Sequence, residues 1–521
     1  MLELVKQAKI GTIVPIYKEI NEEIDALGYF AKLSDYGRKK NSILFEDDEK
    51  SLGSANPCLM VMGKDNDFEI IALNNVGKKF LSFIKKDFGF CDKAIYHQDK
   101  IYGKLSSARR AVSEQERLRS KTHLDIIKAI AFKFKTITKP ILPYCGMFGI
   151  ISYDFINQIE DIPANSEDLL KDPDYILYFL DNMFVVDHKN KKTFFVANAM
   201  ITDKNKDKVY SSCIKTINSY EKLIAKKTLK AKKPKKKELK LSYDIGKDEF
   251  LRVMENLKRH ILNGDLLYAA PSMTTISSYN AEPLDIYAQL KNNESDSYAF
   301  YMNDKYGTSI SCGMHAILNI NGEDQKKVES KILTARENRG YAKEGIEKDL
   351  DDKYEILLKV DENEIAYNTI LVDAVRNDIA RISEPGTRHV DKMFVVDKQA
   401  ESQNLISSVK GTLREDLDAF DAYKANTNPA VISGFPKLKS MQLLRKLEKK
   451  RCFNSGSFVC ITPDNDICSI TVEPIRIKKD KLYFRTSSRV FHNSNNKNEL
   501  KANEMKEVKV LEAIKNAGGS K

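Results

Sequence analysis

The chain has 521 residues, 42% of them hydrophobic, with eight cysteines and no tryptophan. That is enough for two or three packed domains and too apolar for global disorder. It has neither the roughly 18-residue apolar run of a membrane helix nor, in MLELVKQAKIGTIVPIYKEI, the layout of a signal peptide, so a cytoplasmic protein without membrane contact is expected. The net charge of +11 points to nucleic acid only until it is mapped. KKTLKAKKPKKKELK (226–240) holds nine Lys and one Glu, a net of +8 that leaves +3 for the rest of the chain. One run, not a basic face, makes the charge.

In chain order, FLDNMFVVDHKNKKTFFVANAMI (179–201) alternates β-rich runs about a polar turn at Lys189–Lys192, which predicts two antiparallel strands. SSCIKTINSYEKLIAKK (211–227) has helical spacing at Ile214, Ile217, Tyr220 and Ile224. The Lys run contains Pro234 and repels itself, so it reads as an exposed linker between a domain over 1–225 and one over 241–521. DEFLRVMENLKRHILNG (248–264) predicts an amphipathic helix capped by Asp248 and stopped by Gly264. Strands are expected at 298–302, 310–320, 457–462, 467–477 and 481–491, and helices at 373–382 and 441–450. Hairpins without βαβ alternation predict an α+β fold. The cysteines form no C-x-x-C pair and no zinc spacing, so they read as reduced, mostly buried thiols.

No phosphate-loop, dinucleotide, serine-hydrolase or zinc-protease motif occurs. His315, inside ISCGMHAILNI, reads first as a buried or half-buried structural histidine and second as a site residue. Two acidic sets stand out: Asp361, Glu362 and Glu364, and Glu499, Glu504 and Glu507. Facing helices with a carboxylate apiece can hold Mg²⁺, whereas a plain acidic helix face holds nothing. SGFPKLKSM (433–441) opens a helix beside Lys437, which suits either an anion or an ordinary helix start.

Taken together, ILVDAVRNDIARISEPGTRHV (370–390), LREDLDAFDAYKA (413–425) and SGFPKLKSMQLL (433–444) resemble component I of anthranilate synthase, of the chorismate-utilising enzymes. GIISYDFINQIEDIP (149–163), DPDYILYFLDNMFVVDHKNKK (172–192) and ILFED (43–47) extend the resemblance towards the N-terminus. It implies two interlocked α/β layers with antiparallel sheets around a cleft, a Mg²⁺-dependent lyase acting on chorismate in tryptophan biosynthesis, and a separate glutamine amidotransferase subunit as partner. The scaffold residues Asp373, Arg376, Asn377, Asp378, Gly434, Pro436 and Lys437 are retained.

The pocket positions that the resemblance implies are mostly replaced. The Arg that would grip a substrate carboxylate is Glu473; Arg476, three residues on, falls on the opposite strand face. The Gly-Ala-Gly of the next strand is Ser487, Ser488 and Arg489, and the substrate-contacting Tyr is Phe453. The chorismate-contacting Gly-Thr falls at Ala335 and Arg336, and the Gln lining the pocket is Tyr268. The catalytic His and Glu positions hold Asn404 and His315; Lys506 is retained. Of the paired metal carboxylates, Glu364 and Glu499 remain, while their partners are Tyr367 and Ala502, so Mg²⁺ is expected to bind weakly or not at all. At the tryptophan feedback site, Asp47 replaces a Ser, and Ser297, Tyr298 and Ala299 replace Pro-Tyr-Met. The expectation is a folded pseudoenzyme. The alternatives are a divergent enzyme on an altered substrate, chorismate or another small carboxylate, and a non-catalytic partner-binding or regulatory homologue. The Lys run lacks interleaved aromatics, so nucleic acid is not an expected partner.

Overall fold

Runs of β-branched and aromatic residues form strands buried along their length. Ser42–Glu46, for example, pairs antiparallel with both Lys50–Ser54 and Ala299–Asn303. The computed structural model describes residues 1–106, 113–137, 145–165, 167–227, 239–293, 298–313, 315–323, 325–342, 345–399 and 402–518. Its strands build two twelve-stranded sheets. The first runs from Leu241–Tyr243 through Ser272–Ser278, Lys481–Ser487, Ile475–Lys478, Thr308–Cys312 and Ala299–Asn303. It continues through Ser42–Glu46, Lys50–Ser54, Asn182–Asp187, Lys192–Ile201 and Thr12–Ile20 to Lys135–Thr136. The second runs from His389–Lys398 through Ser402–Thr412, Lys327–Asn338, Ala316–Asn321, Ile467–Val472 and Gly456–Ile461. It continues through Gly146–Ile151, Tyr175–Leu180, Leu59–Lys64, Asp67–Ala72 and Lys100–Lys104 to Lys93–Tyr96.

Each sheet takes strands from both sides of the Lys run. The seams are Ser42–Glu46 against Ala299–Asn303 in the first sheet and Gly146–Ile151 against Gly456–Ile461 in the second. Of the run itself, residues 228–238 lie outside the described ones. The sheets face each other across an apolar layer in which the Phe458 ring stacks on Phe45 (5.1 Å) and Phe300 (4.7 Å). Helices cover the outer faces. Ala26–Leu33, Lys206–Ile224, Pro283–Asn293 and Asn496–Ala517 pack on the first sheet. Asn75–Ile84, His123–Ala131 and Glu362–Ala380 pack on the second. The result is the expected α+β architecture of two α/β layers.

Three sequence expectations need correction. The strand expected at 310–320 is two, Thr308–Cys312 and Ala316–Asn321, in different sheets; Gly313, at φ +87°, turns the chain between them. The strand expected at 467–477 breaks at Glu473–Pro474, and Ile467–Val472 and Ile475–Lys478 likewise lie in different sheets. Alternation of apolar residues does not record which sheet a strand joins, so both crossings read as continuous. The helix expected from Asp248 spans Lys247–Leu262 with Gly246 at its cap, so Asp248 sits in the first turn, where its charge complements the helix dipole.

Candidate active-site cleft

The two sheet crossings lie side by side, because Ile310 pairs with Ile475 in one sheet and Ala316 with Thr471 in the other. The His315 N–H donates to the Thr471 carbonyl at 3.1 Å. His315 Nε2 then stands 3.3 Å from Glu473 Oε2, with their side chains 33% and 16% exposed. Ser487, at the end of the neighbouring strand, donates its hydroxyl to Glu473 Oε1 at 2.7 Å. Burial alone would raise the Glu473 carboxyl; the charge and hydrogen bond of His315, with Lys506 and Ser487, outweigh it and hold the group down to about 2.

The C-terminal helix Asn496–Ala517, capped by the Asn495 side chain, grips the same strand end. Glu499, Asn503 and Lys506 recur at helical spacing and so share one face. Glu499 Oε2 accepts the Arg489 N–H (3.0 Å), Asn503 Nδ2 donates to Ser488 Oγ (2.7 Å), and Lys506 Nζ donates to the Ser487 carbonyl (3.2 Å). Asn503, buried at 2% exposure, is a positioning residue that the sequence reading missed; its place four residues after Glu499 was the available signal.

Opposite stands the helix Glu362–Ala380, capped by Asp361, whose Oδ1 accepts from the N–H groups of Asn363 and Glu364. Glu364 faces Arg489: Nη1 donates to both of its carboxylate oxygens, at 2.8 and 3.0 Å. One turn along, the Tyr367 ring lies 5.1 Å beneath the same guanidinium. The Tyr367 and Tyr268 hydroxyls share a 3.2 Å hydrogen bond, and Phe491 packs against both rings. Together these groups enclose a cleft of about 1160 Å³, lined also by Ala335, Arg336 and Asn404.

A family model described as chorismate binding enzyme matches residues 57–509, most of the chain. This chain belongs to the chorismate-binding enzyme family. Its curated relatives include anthranilate synthase component 1 of Buchnera aphidicola subsp. Pemphigus spyrothecae, 28% identical over 448 residues, covering 83% of this chain and 84% of that protein. The Haemophilus influenzae component 1 is 28% identical over 435 residues, covering 80% and 81%. Anthranilate synthase component I from Streptococcus pneumoniae TIGR4 superposes with a TM-score of 0.68 at 20% identity, covering 90% and 92% of the two chains. The menaquinone-specific isochorismate synthase of Escherichia coli superposes at 0.61 with 10% identity, covering 98% of each.

In this family member most of the anticipated pocket positions converge on the cleft: Tyr268, His315, Ala335, Arg336, Asn404, Glu473, Ser487, Ser488, Arg489 and Lys506 all line it, with Glu364 and Tyr367. His315 is therefore half-buried and lines the cleft at once. Phe453 does not line it; its ring is 1% exposed and lies 5.1 Å under the Arg476 guanidinium. Arg476 is also placed differently from expectation. Pro474 carries it across into the other sheet, where Asp172 and Asp304 bind it at 2.8–3.2 Å. Lys437 is no anion site: Asp378 takes its charge at 2.9 and 3.0 Å, and the Ala425 and Thr427 carbonyls accept from it. Asp47 and Tyr298 line a second cavity of about 660 Å³, while Ala299 is buried in its strand and Ser297 lies outside the described residues.

Asn404 is 4% exposed; its Nδ2 reaches Gln399 and Ser402 at 3.3 Å, and its Oδ1 is buried with no partner among the described residues. An amide there cannot relay a proton near neutral pH. Of the acidic sets, Glu504 pairs with Lys247 (2.7 Å) and Glu507 accepts from Tyr243 (2.9 Å), so both face away from Arg489. Glu364 and Glu499 do meet, but across an arginine. Among the described residues, no group of three or more His, Cys, Asp or Glu could hold a metal ion. Mg²⁺ takes oxygen ligands in near-octahedral array, and here both Glu364 oxygens are already taken by the Arg489 guanidinium, which fits the ion poorly.

Proposed function

We propose that this chorismate-binding family member does not convert chorismate to anthranilate, and that its cleft persists as a binding site without that chemistry. The observation that carries this reading is the Glu473 side chain, 3.3 Å from His315 and hydrogen-bonded by Ser487, where the resemblance calls for a carboxylate-gripping Arg. Two unit charges about 4 Å apart interact by roughly 4 kcal/mol at an effective dielectric of 20, so replacing attraction by repulsion weakens binding by orders of magnitude. Asn404 supports the same reading, since it removes a proton relay typically worth about 10²–10⁴ in rate. The test is anthranilate fluorescence with chorismate, ammonia and Mg²⁺. No rise above the no-protein control is expected; a rise proportional to protein refutes the reading.

One observation favours a second reading, a divergent enzyme on an altered substrate. His315 stands in the cleft 3.3 Å from Glu473, a carboxylate placed to orient the imidazole toward a ligand, with Ser487 alongside. Turnover of a chorismate-like carboxylic acid that is lost in Glu473→Gln would establish it. The glutamine amidotransferase partner belongs to the proposal as well, and co-elution of the two chains tests it.

A further inference from the structure

Three positions that the resemblance implies to be replaced bear on one another: Arg489 and Tyr367 line the cleft, and Ala502 lies on the Asn496–Ala517 helix beside it. Arg489 stands where the resemblance implies a glycine; its side chain reaches the Glu362–Ala380 helix and its backbone meets the Asn496–Ala517 helix. Its guanidinium meets Glu364 at 2.8 and 3.0 Å, and its backbone N–H meets Glu499 at 3.0 Å. Tyr367, in place of a third carboxylate, offers a ring face 5.1 Å from that guanidinium. Ala502, in place of the fourth, is exposed and contributes no charge.

Two carboxylates with one guanidinium carry a net −1, half the −2 of four carboxylates with a divalent metal. Halving the number of carboxylates suits halving the cation charge from a divalent metal to one guanidinium. Arginine stays protonated, is weakly hydrated and stacks on aromatic faces, which fits a partly desolvated place between a carboxylate and a ring. A hard divalent ion has no use for Tyr367.

We propose that Arg489 is a tethered cation held by Glu364 and Tyr367, anchored through its own backbone by Glu499, and that it stands in for a divalent metal, so that this cleft is organised without metal. The inference rests on reading this pocket as the family cleft, but not on whether chorismate is turned over. Its test reads metal uptake, not product.

The full chain, stripped with chelator, is titrated with MgCl₂ by calorimetry, with melting temperature followed in parallel. The unaltered protein should take up no Mg²⁺ at micromolar concentrations. Tyr367→Glu/Ala502→Glu, which restores the carboxylates but keeps Arg489, should remain unable to bind. Adding Arg489→Gly to that pair should bind at least about tenfold tighter than the pair alone and gain melting temperature with Mg²⁺. Arg489→Gln, which removes the charge but keeps much of the bulk, replaces the glycine variant if the latter fails to fold. Micromolar uptake by the unaltered protein overturns the inference. So does equal behaviour of the two carboxylate-restored variants, whether both bind or neither does. Product formed in chelator would sink the inactive reading and leave Arg489 as the cation; metal uptake without product would do the reverse.

Discussion

His315 Nε2 lies 3.3 Å from Glu473 Oε2, at the point where two strand pairs pass from one sheet to the other. Glu473 holds its proton less tightly folded than unfolded, with a carboxyl at about 2 against an ordinary 4.5. A depressed acid stabilises the fold above its unfolded value and loses that contribution as pH falls towards the folded one. The window here is therefore from about 4.5 down to about 2. Glu473→Gln should cost on the order of 1–3 kcal/mol near neutral pH, with the difference shrinking in acid. Urea unfolding at both pH values checks this; a pH-independent difference contradicts it.

The same carboxylate controls ligand charge. Glu473→Arg should strengthen chorismate binding by at least about tenfold in calorimetry, because it converts a repulsion into an attraction. It should not restore anthranilate formation, since Asn404 still cannot relay a proton. Chorismate binding by the unaltered protein as tight as by the variant would remove the electrostatic argument.

Trypsin should cut first between residues 226 and 240, where nine lysines are concentrated. The two fragments should stay together in gel filtration, since both sheets run through both halves and are joined at Ser42–Glu46 with Ala299–Asn303 and at Gly146–Ile151 with Gly456–Ile461. First cleavage elsewhere contradicts the linker; fragments separating without denaturant contradicts the interlocking.

Phe458 is fully buried and stacked between Phe45 and Phe300. Phe458→Ala should lose about 3–5 kcal/mol through lost burial and an unfilled cavity. Phe458→Leu, closer in volume, should lose less than half of that. Equal losses, read from denaturant midpoints at constant slope, would mean that the inter-sheet layer repacks freely.

The sequence alone determined the fold class, the family and the chemical identity of the candidate pocket positions. Stretches such as ILVDAVRNDIARISEPGTRHV carry apolar spacing and scaffold residues that local order preserves. It also gives a cation at position 489 and an anion at position 473. Only the tertiary structure decided what those charges do. Arg489 meets a glutamate 125 residues away in the chain, and Arg476 meets aspartates 172 and 304 residues away. Phe453, read as a pocket residue, turned out to lie beneath Arg476 instead. A strand pattern gives side-chain alternation within one sheet, but not the point where the chain leaves it. Glu473 and His315 sit at such points, and their pairing follows from the register of two sheets at once.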